Sequence, residues 1–245
     1  MLKKIISTSN TTIKHIVKIR KDRKYRNEKK EVLLVGKKII FDVLKKHPLK
    51  LLITTNKDLD IKKYRANDVL LVNDSIMKKI TSVSTPEDVA AIISMPKDPI
   101  LKNQKKILIL DKLKDPGNLG TLIRSAYAFD YDIVVLTKDS CDPYLDKAIR
   151  SAKSATFFIP ILQTTKEFLK DYIQKNKIDS YLADMNGENI NKINTKNSFA
   201  IILSSESLGI DSFFERFSKK VKIKISNIDS LNVAIAGSII MEKLR

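Results

Sequence analysis

The stretch DKLKDPGNLGTLIRSAYAF (111–129) places residues with special backbone properties between an apolar run and a helical pattern. It holds two of the chain's six glycines, one of its seven prolines, an asparagine and an arginine. The preceding run, KILIL (106–110), is typical of a strand covered on both faces. A helix over 118–129 and a strand at DIVVL (132–136) are predicted to follow. Together they form a strand–helix–strand unit of a parallel sheet.

The same alternation continues to the end of the chain. Further strands are predicted at SYLAD (180–184), SFAIIL (198–203) and VKIKI (221–225), and further helices near 144–153, over 165–175 and from about 229. The alternation predicts an α/β fold, a mostly parallel sheet with helices on both of its faces.

Three of these strands end in unusual polar sequences: LILDKLKDPGNLG (108–120), IILSSESLGI (201–210) and KISNIDSLN (224–232). Since ligands of parallel sheets bind beyond the carboxyl ends of the strands, the three segments predict one site. The chain lacks both the glycine pattern of a dinucleotide fold and that of a P-loop. It has two histidines, one cysteine and no acidic cluster with metal-ligand spacing, so we expect no metal. The three segments offer amides, hydroxyls, one arginine and one glutamate. Such groups suit a reaction that depends on positioning the reactants more than on strong acid or base catalysis.

The N-terminal third reads as a second, smaller α/β unit with a strongly basic end. Residues 1–96 carry a net charge of +12, against +6 for the rest of the chain. A basic amphipathic helix is predicted over 8–24, and a later helix is predicted to begin at Asp74 as its N-cap. The uneven distribution of positive charge favours a nucleic acid as partner over a membrane, because the helix has no Trp or Phe to insert. The residues predicted to contact this nucleic acid are Lys14, Lys18, Arg20, Arg23, Lys24 and Arg26.

The prolines and lysines that follow predict the domain organisation. Two prolines and four lysines in 95–106 are typical of a linker. We therefore expect a nucleic-acid-binding domain over 1–96, a linker over 97–106 and a second domain over 107–245. No apolar run approaches the ~18 residues of a membrane span, and the N-terminus lacks a secretory signal. With a single cysteine, Cys141, these features lead us to expect a cytoplasmic protein.

The three loop sequences resemble the motifs of the SpoU/TrmH RNA 2′-O-ribose methyltransferases of the SPOUT class. DPGNLGTLIR matches the first motif, SSESLGI the second and IDSLNVAIAGSII the third, in the family's order. The segments ISTSNTTIKHIVKIRKDRKYR and TPEDVAAI resemble the ribosomal-protein-like domain of many members. The resemblance implies a trefoil knot in the C-terminal domain, S-adenosylmethionine as methyl donor and a homodimer. It implies ribosomal RNA as substrate in preference to transfer RNA.

The resemblance also assigns roles to residues whose local pattern leaves other interpretations open. It implies that the reacting centre comprises Asn118, Arg124, Glu206, Ser230 and Asn232. By local pattern alone, Arg124 is an ordinary surface arginine on the second turn of its helix, Asn118 an N-cap and Glu206 a loop charge. Ser230 and Asn232 could equally cap the last helix. For the donor site, the resemblance implies Leu203, Ser204, Ser205, Glu206, Leu208, Gly209, Ile223, Ile225 and Leu231. Leu208, Ile223, Ile225 and Leu231 are equally suited to a core.

Two departures from the family pattern bear on activity. At two positions where the family usually has glycine, this chain has serine, Ser154 and Ser204. They favour a non-catalytic RNA-binding or ribosome-assembly protein that keeps the fold. The retained Asn118 and Arg124 favour an active enzyme. The basic N-terminal third argues against another alternative, a generic α/β enzyme that acts on small molecules. The sequence therefore predicts methyl transfer from S-adenosylmethionine to a ribose 2′-hydroxyl in structured RNA.

Overall fold

The computed structural model describes residues 2–195, 198–204 and 212–245. The chain divides into two compact units. The first contains the chain up to Lys97 together with Tyr144–Asp146, and the second contains Asp98–Pro143 and Lys147–Arg245.

The first unit is built on a five-stranded mixed sheet. Its strands are β1 (Leu2–Lys4), β2 (Glu31–Val35), β3 (Leu49–Thr54), β4 (Val69–Leu71) and β5 (Val89–Ser94). They lie in the order β1-β4-β3-β5-β2, and β5 runs antiparallel to both of its neighbours. The helices are α1 (Thr11–Lys21), α2 (Arg23–Lys29), α3 (Lys37–Leu44) and α4 (Asp74–Thr81), with a 3₁₀ turn at Ile61–Tyr64.

The predicted single helix over 8–24 is wrong, because Asp22 divides it. Asp22 is extended, with φ −108° and ψ 109°, and its carboxylate accepts a hydrogen bond from the Tyr25 amide. It thus ends α1 and caps α2, a role that a short acidic side chain performs well. α4 was also predicted with the wrong cap, since Asn73 and not Asp74 accepts the Ile76 amide hydrogen bond.

The second unit is built on a six-stranded sheet in which every pair of neighbours is parallel. Its strands are β6 (Lys106–Asp111), β7 (Ile133–Thr137), β8 (Ile161–Thr164), β9 (Asp179–Asn189), β10 (Phe199–Ser204) and β11 (Lys219–Lys222), in the order β11-β9-β10-β6-β7-β8. The helices are α5 (Pro116–Ala128), α6 (Asp146–Ala152), α7 (Lys166–Lys175), α8 (Ser212–Glu215) and α9 (Val233–Lys243), with 3₁₀ turns at Ala155–Phe157 and Ile190–Lys192.

Helices cover both faces of this sheet, as predicted. Successive residues of β6 point into different hydrophobic cores. Leu108 and Leu110 pack in a core with residues of α5 and α9, whereas Ile107 and Ile109 pack in a core with residues of α7 and α8. The predicted α/β class is therefore confirmed, and the trefoil knot stays a prediction.

Three predicted boundaries of the second unit were wrong. The helix after β6 begins at Pro116 and not at 118, so Arg124 lies on its third turn. The strand predicted at 221–225 ends at Lys222, and the last helix begins at Val233 and not near 229. None of the described helices is long and apolar enough to cross a membrane.

Candidate donor and acceptor site

The unusual residues of 111–129 build the start of α5. Asp115 is the N-cap, and its carboxylate accepts a hydrogen bond from the Asn118 amide at 2.8 Å. Pro116 occupies the first helical position, where its missing N–H costs nothing. A hydrogen bond from Lys147, 2.7 Å away, and the bond from the Asn118 amide lower the pKa of Asp115, which keeps this cap ionised.

Gly120 lies where α5 packs against α6. A Cβ at this position would lie 2.3 Å from the carbonyl oxygen of Ala148 and 2.7 Å from the Ser151 Cβ. α5 can therefore approach α6 closely only because residue 120 has no side chain.

A cavity of about 310 Å³ lies beyond the ends of β10 and β11. Six residues that the sequence placed in the site line it: Leu203, Ser204, Ile223, Ile225, Ser230 and Leu231. Its volume falls within the range of about 300–1,000 Å³ that is usual for small-molecule sites. α9 adds apolar wall through Val233, Ala236 and Ile240. The cavity thus offers a mostly apolar surface to a small ligand.

Ser204 presents an unused hydrogen-bonding group at the cavity wall. Its hydroxyl oxygen is buried and has no hydrogen-bond partner among the described residues. A buried polar atom without a partner costs free energy, so a ligand that bonds to this hydroxyl would recover it. The serine found in place of the family's usual glycine is therefore compatible with a ligand in the cavity.

The first and third loop segments meet at two asparagines. The Asn232 Nδ2 donates a hydrogen bond to the Asn118 Oδ1 at 3.2 Å. The Asn232 Oδ1 caps α9 by accepting the Ala234 amide bond at 2.9 Å. The capping interpretation of Asn232 is therefore confirmed, and the same side chain joins α9 to the start of α5. Its role in the reacting centre stays a prediction. Asn118 is the third residue of α5 and not its cap.

Arg124 lies apart from this pair within the chain. Its side chain is exposed, and it forms no hydrogen bond or ion pair with the residues that the structure describes. Nearby, Ser125 and Ser238 join α5 to α9 through their hydroxyls at 2.7 Å. A free guanidinium on a fixed helix can meet an anionic ligand without first breaking an ion pair.

Several predicted residues of the second motif lie outside the described residues: Ser205, Glu206, Leu208 and Gly209. Their roles stay predictions.

Sequence reasoning missed one carboxylate of the site. Asp184 on β9 lines the cavity, and its side chain is only 5% exposed. The available signal was its position directly after the apolar run of the strand SYLAD, where acidic residues are uncommon.

The predicted RNA-contacting residues in the first unit fall into two groups. Lys14, Lys18 and Lys24 are exposed, and Arg20 and Arg23 are half-buried. Arg26 is fully buried, and its guanidinium donates hydrogen bonds to the carbonyl oxygens of Ile19 and, at 3.0 Å, Arg20. The prediction that Arg26 contacts RNA is therefore not supported, because this side chain joins α2 to the end of α1.

The stripe of Ile13, Ile16 and Ile19 explains the orientation of the basic helix. All three side chains are fully buried against the sheet, which leaves the lysines on the opposite, solvated face. The Lys18 ammonium lies 4.3 Å from the ring centroid of Tyr25. This arrangement presents a basic surface next to an aromatic ring.

Comparison with known families identifies the second unit. A model of the SpoU rRNA methylase family matches residues 105–242. The chain belongs to this family. A model of the MRM3-like substrate-binding domain matches residues 10–91. The family membership predicted from the three loop motifs is thereby confirmed.

Relatives of this SpoU-family chain include enzymes that modify ribosomal RNA. The chain is 28% identical to the 23S rRNA (guanosine(2553)-2′-O)-methyltransferase RlmP of Bacillus subtilis over 249 residues, covering 100% of both chains. It is also 28% identical to the human mitochondrial rRNA methyltransferase 3, over 64% of this chain and 41% of that protein. The crystal structure of an AdoMet-bound rRNA methyltransferase from Sinorhizobium meliloti matches 99% of this chain and 97% of that one, with a TM-score of 0.86 and 25% identity.

Proposed function

We propose that this protein transfers a methyl group from S-adenosylmethionine to a ribose 2′-hydroxyl of ribosomal RNA. The observation that carries the proposal is the cavity beyond β10 and β11, lined by the predicted donor-site residues of a SpoU-family chain. The full-length similarity to RlmP supports ribosomal RNA as the substrate.

The cavity fits the adenosyl part of the donor. Ile223, Ile225 and Leu231 supply apolar contact for a purine, and the Ser204 hydroxyl offers a hydrogen bond. When bound, S-adenosylmethionine supplies an electrophilic methyl group and a neutral thioether as leaving group. The 2′-hydroxyl gives its proton to water as its oxygen forms the bond to that methyl group. The protein therefore needs to align the acceptor oxygen with the methyl group and to stabilise the negative charge on the oxygen as the proton leaves.

We assign the stabilisation of charge to Arg124 and the alignment to the asparagine pair. A guanidinium stays protonated, and its planar donors can contact both the developing 2′-oxyanion and a neighbouring phosphate. Asn118 and Asn232 are fixed relative to each other by their hydrogen bond, so they can hold the acceptor ribose between α5 and α9. Ser230 at the cavity lining and Glu206 complete the proposed reacting centre.

We assign RNA docking to the first unit, within the predicted domain 1–96. The exposed lysines of α1 and α2 suit phosphate contacts, whose counterion release supplies affinity that does not depend on base sequence. The match of residues 10–91 to a substrate-binding domain supports this division of roles.

We further propose that the active form is a homodimer. α9 carries apolar residues around its whole circumference, yet Ile235 is 54% exposed and Ile239 is half-buried. Tyr127 on α5 is 47% exposed. A helix with this pattern is expected to be covered, and a second copy of the chain would cover it. Light scattering at micromolar concentration should give twice the mass of one chain, and Ile235→Glu should give the mass of a single chain. A monomeric wild-type protein would contradict the proposal.

Isothermal calorimetry with S-adenosylmethionine tests the enzymatic function against a non-catalytic RNA-binding role. The proposal predicts saturable binding of the donor to the wild-type protein. Binding should weaken when Leu231 is replaced by Asp, which puts a charge against the apolar wall. Binding of RNA without any binding of donor at millimolar concentration would support the non-catalytic alternative.

A further inference from the structure

β9 carries a large bulge at the edge of the cavity. Leu182 pairs with Lys220 on β11, and the next pair along the two strands is Glu188 with Val221. Residues 183–187 therefore have no counterpart on β11 in the strand pairing, although the two strands remain paired on either side of them. Bulges of this kind commonly redirect a side chain beside an active site.

Gly187 closes this bulge by close contact between backbones. A Cβ at residue 187 would lie 2.4 Å from the amide nitrogen of Val221 and 2.5 Å from the carbonyl carbon of Lys220. Backbone atoms in a paired strand cannot move aside, so glycine is required here. The bulge is thus a fixed part of the sheet.

The bulge holds the carboxylate of Asp184 in one position. Its Oδ2 lies 2.7 Å from the Lys220 ammonium, and its Oδ1 accepts the Asn186 amide bond at 2.8 Å. Burial raises the pKa of Asp184. This effect is outweighed by the hydrogen bonds that Lys220 and the Asn186 amide donate and by the positive charge of Lys220, so the pKa of Asp184 lies below its ordinary value. Asp184 is therefore an anion at neutral pH.

This anion faces a cavity that is otherwise mostly apolar. An ionised carboxylate can accept about four hydrogen bonds, and two of these sites are used by Lys220 and Asn186. The remaining lone pairs suit hydroxyl donors. A second cation is a poorer partner, because Asp184 is already paired with Lys220 and because burying an ammonium carries a large desolvation cost.

We infer that Asp184 is a specificity-determining residue that accepts hydrogen bonds from the ribose hydroxyls of the adenosyl ligand. The inference rests on the proposed function, since it requires an adenosyl ligand in this cavity. A neighbouring pair of hydroxyls matches the two oxygens of a carboxylate, a pairing also used to recognise nucleotide riboses in other α/β folds. Lys220 is a positioning residue that keeps the carboxylate ionised and oriented.

Calorimetry with Asp184→Asn tests this inference with two ligands. S-adenosylmethionine has the ribose together with an ammonium and a sulfonium cation, whereas 5′-methylthioadenosine has the same ribose and adenine without either cation. If the carboxylate binds the ribose, Asp184→Asn should weaken both ligands by a similar factor of roughly 10–100, the range for a hydrogen bond to a charged group. A loss confined to S-adenosylmethionine would assign Asp184 to one of the two cationic groups that only this ligand carries, the ammonium or the sulfonium, and would overturn the inference.

Glu215→Gln is the matched control. Glu215 also contacts Lys220, at 3.0 Å, but it does not line the cavity, so its removal should leave both affinities unchanged. Thermal unfolding of each variant checks that the fold is retained. Because Asp184→Asn could fail to fold, the wild-type protein is also titrated with the 2′-deoxy form of 5′-methylthioadenosine, which should bind about 10-fold more weakly.

The outcomes separate this inference from the proposed function. The role of Asp184 is refuted if the wild type and Asp184→Asn bind both ligands with equal affinity. It is also refuted if the wild type binds the ribose and deoxyribose ligands with equal affinity. Either result leaves the methyltransferase proposal intact. A wild-type protein that binds no adenosyl ligand would refute both.

Discussion

Replacing Arg124 with alanine should remove methyl transfer and leave the protein stable. The side chain is exposed and has no partner among the described residues, so its loss should change the free energy of unfolding by no more than about 0.5 kcal/mol. If it stabilises the developing oxyanion, turnover should fall by ~10²–10³, equivalent to about 2.7–4 kcal/mol of transition-state stabilisation. Affinity for S-adenosylmethionine should change little, because a cation gains nothing from contact with a sulfonium.

Single-turnover methyl transfer to ribosomal RNA, measured with saturating donor and RNA, gives the rate of the chemical step. Arg124→Lys should restore the rate only in part, since an ammonium lacks the planar pair of donors. Arg216→Ala is the matched control, because Arg216 is an exposed arginine of the same unit outside the three loop segments. If Arg124→Ala keeps more than about a tenth of the wild-type rate, Arg124 is an ordinary surface residue and the assigned role is wrong.

Three further results are expected. Gly237→Ala should lower the free energy of unfolding by about 1–2 kcal/mol, because the new Cβ would lie 2.4 Å from Leu203 Cδ1 and 2.5 Å from Leu122 Cδ2. The cost of this overpacking exceeds the gain in helix propensity from glycine to alanine. An unchanged or higher melting temperature would contradict this expectation. A double-mutant cycle of Asn118→Ala and Asn232→Ala should give a coupling of about 0.5 kcal/mol in unfolding, and strict additivity would show that their hydrogen bond contributes nothing. Neutralising four basic residues should make RNA affinity less dependent on salt. The slope of log affinity against log salt concentration should become shallower by about 0.7–0.9 for each phosphate contact that is lost, and an unchanged slope would show that these residues do not contact RNA. These residues are Lys18, Arg20, Arg23 and Lys24.

Local patterns predicted the sheet-and-helix architecture because strands and helices differ in the period of their apolar residues. KILIL became a strand buried on both faces, as its unbroken apolar run indicated. Periodicity did not reveal the break at Asp22, since the apolar stripe of α1 ends at Ile19 and α2, RKYRNEK, has no aliphatic residue that would mark a second helix. The start of α5 could have been predicted from Asp115 and Pro116, which form a common N-terminal helix signal.

The parts of the site that the sequence could not predict depend on tertiary contacts. Nothing in the sequence indicates that Leu182 and Glu188 pair with consecutive residues of β11, so the bulge that carries Asp184 was not predicted. Arg26 resembles its basic neighbours in sequence, and only the packing of α2 against α1 shows that it is buried. More of the lining of the cavity beyond β10 and β11 was predicted, because parallel strands bring their carboxyl ends to one edge of the sheet.

The central claim is tested most directly by locating a transferred methyl group. Purified protein is incubated with methyl-labelled S-adenosylmethionine and either unmodified ribosomal RNA or transfer RNA, and the RNA is then hydrolysed in alkali. A 2′-O-methyl group blocks attack of that oxygen on the adjacent phosphate, so the label should appear in alkali-resistant dinucleotides from ribosomal RNA. Label in mononucleotides would indicate methylation of a base. Label in transfer RNA alone would indicate a different substrate. The absence of label from both RNAs would contradict the enzymatic function.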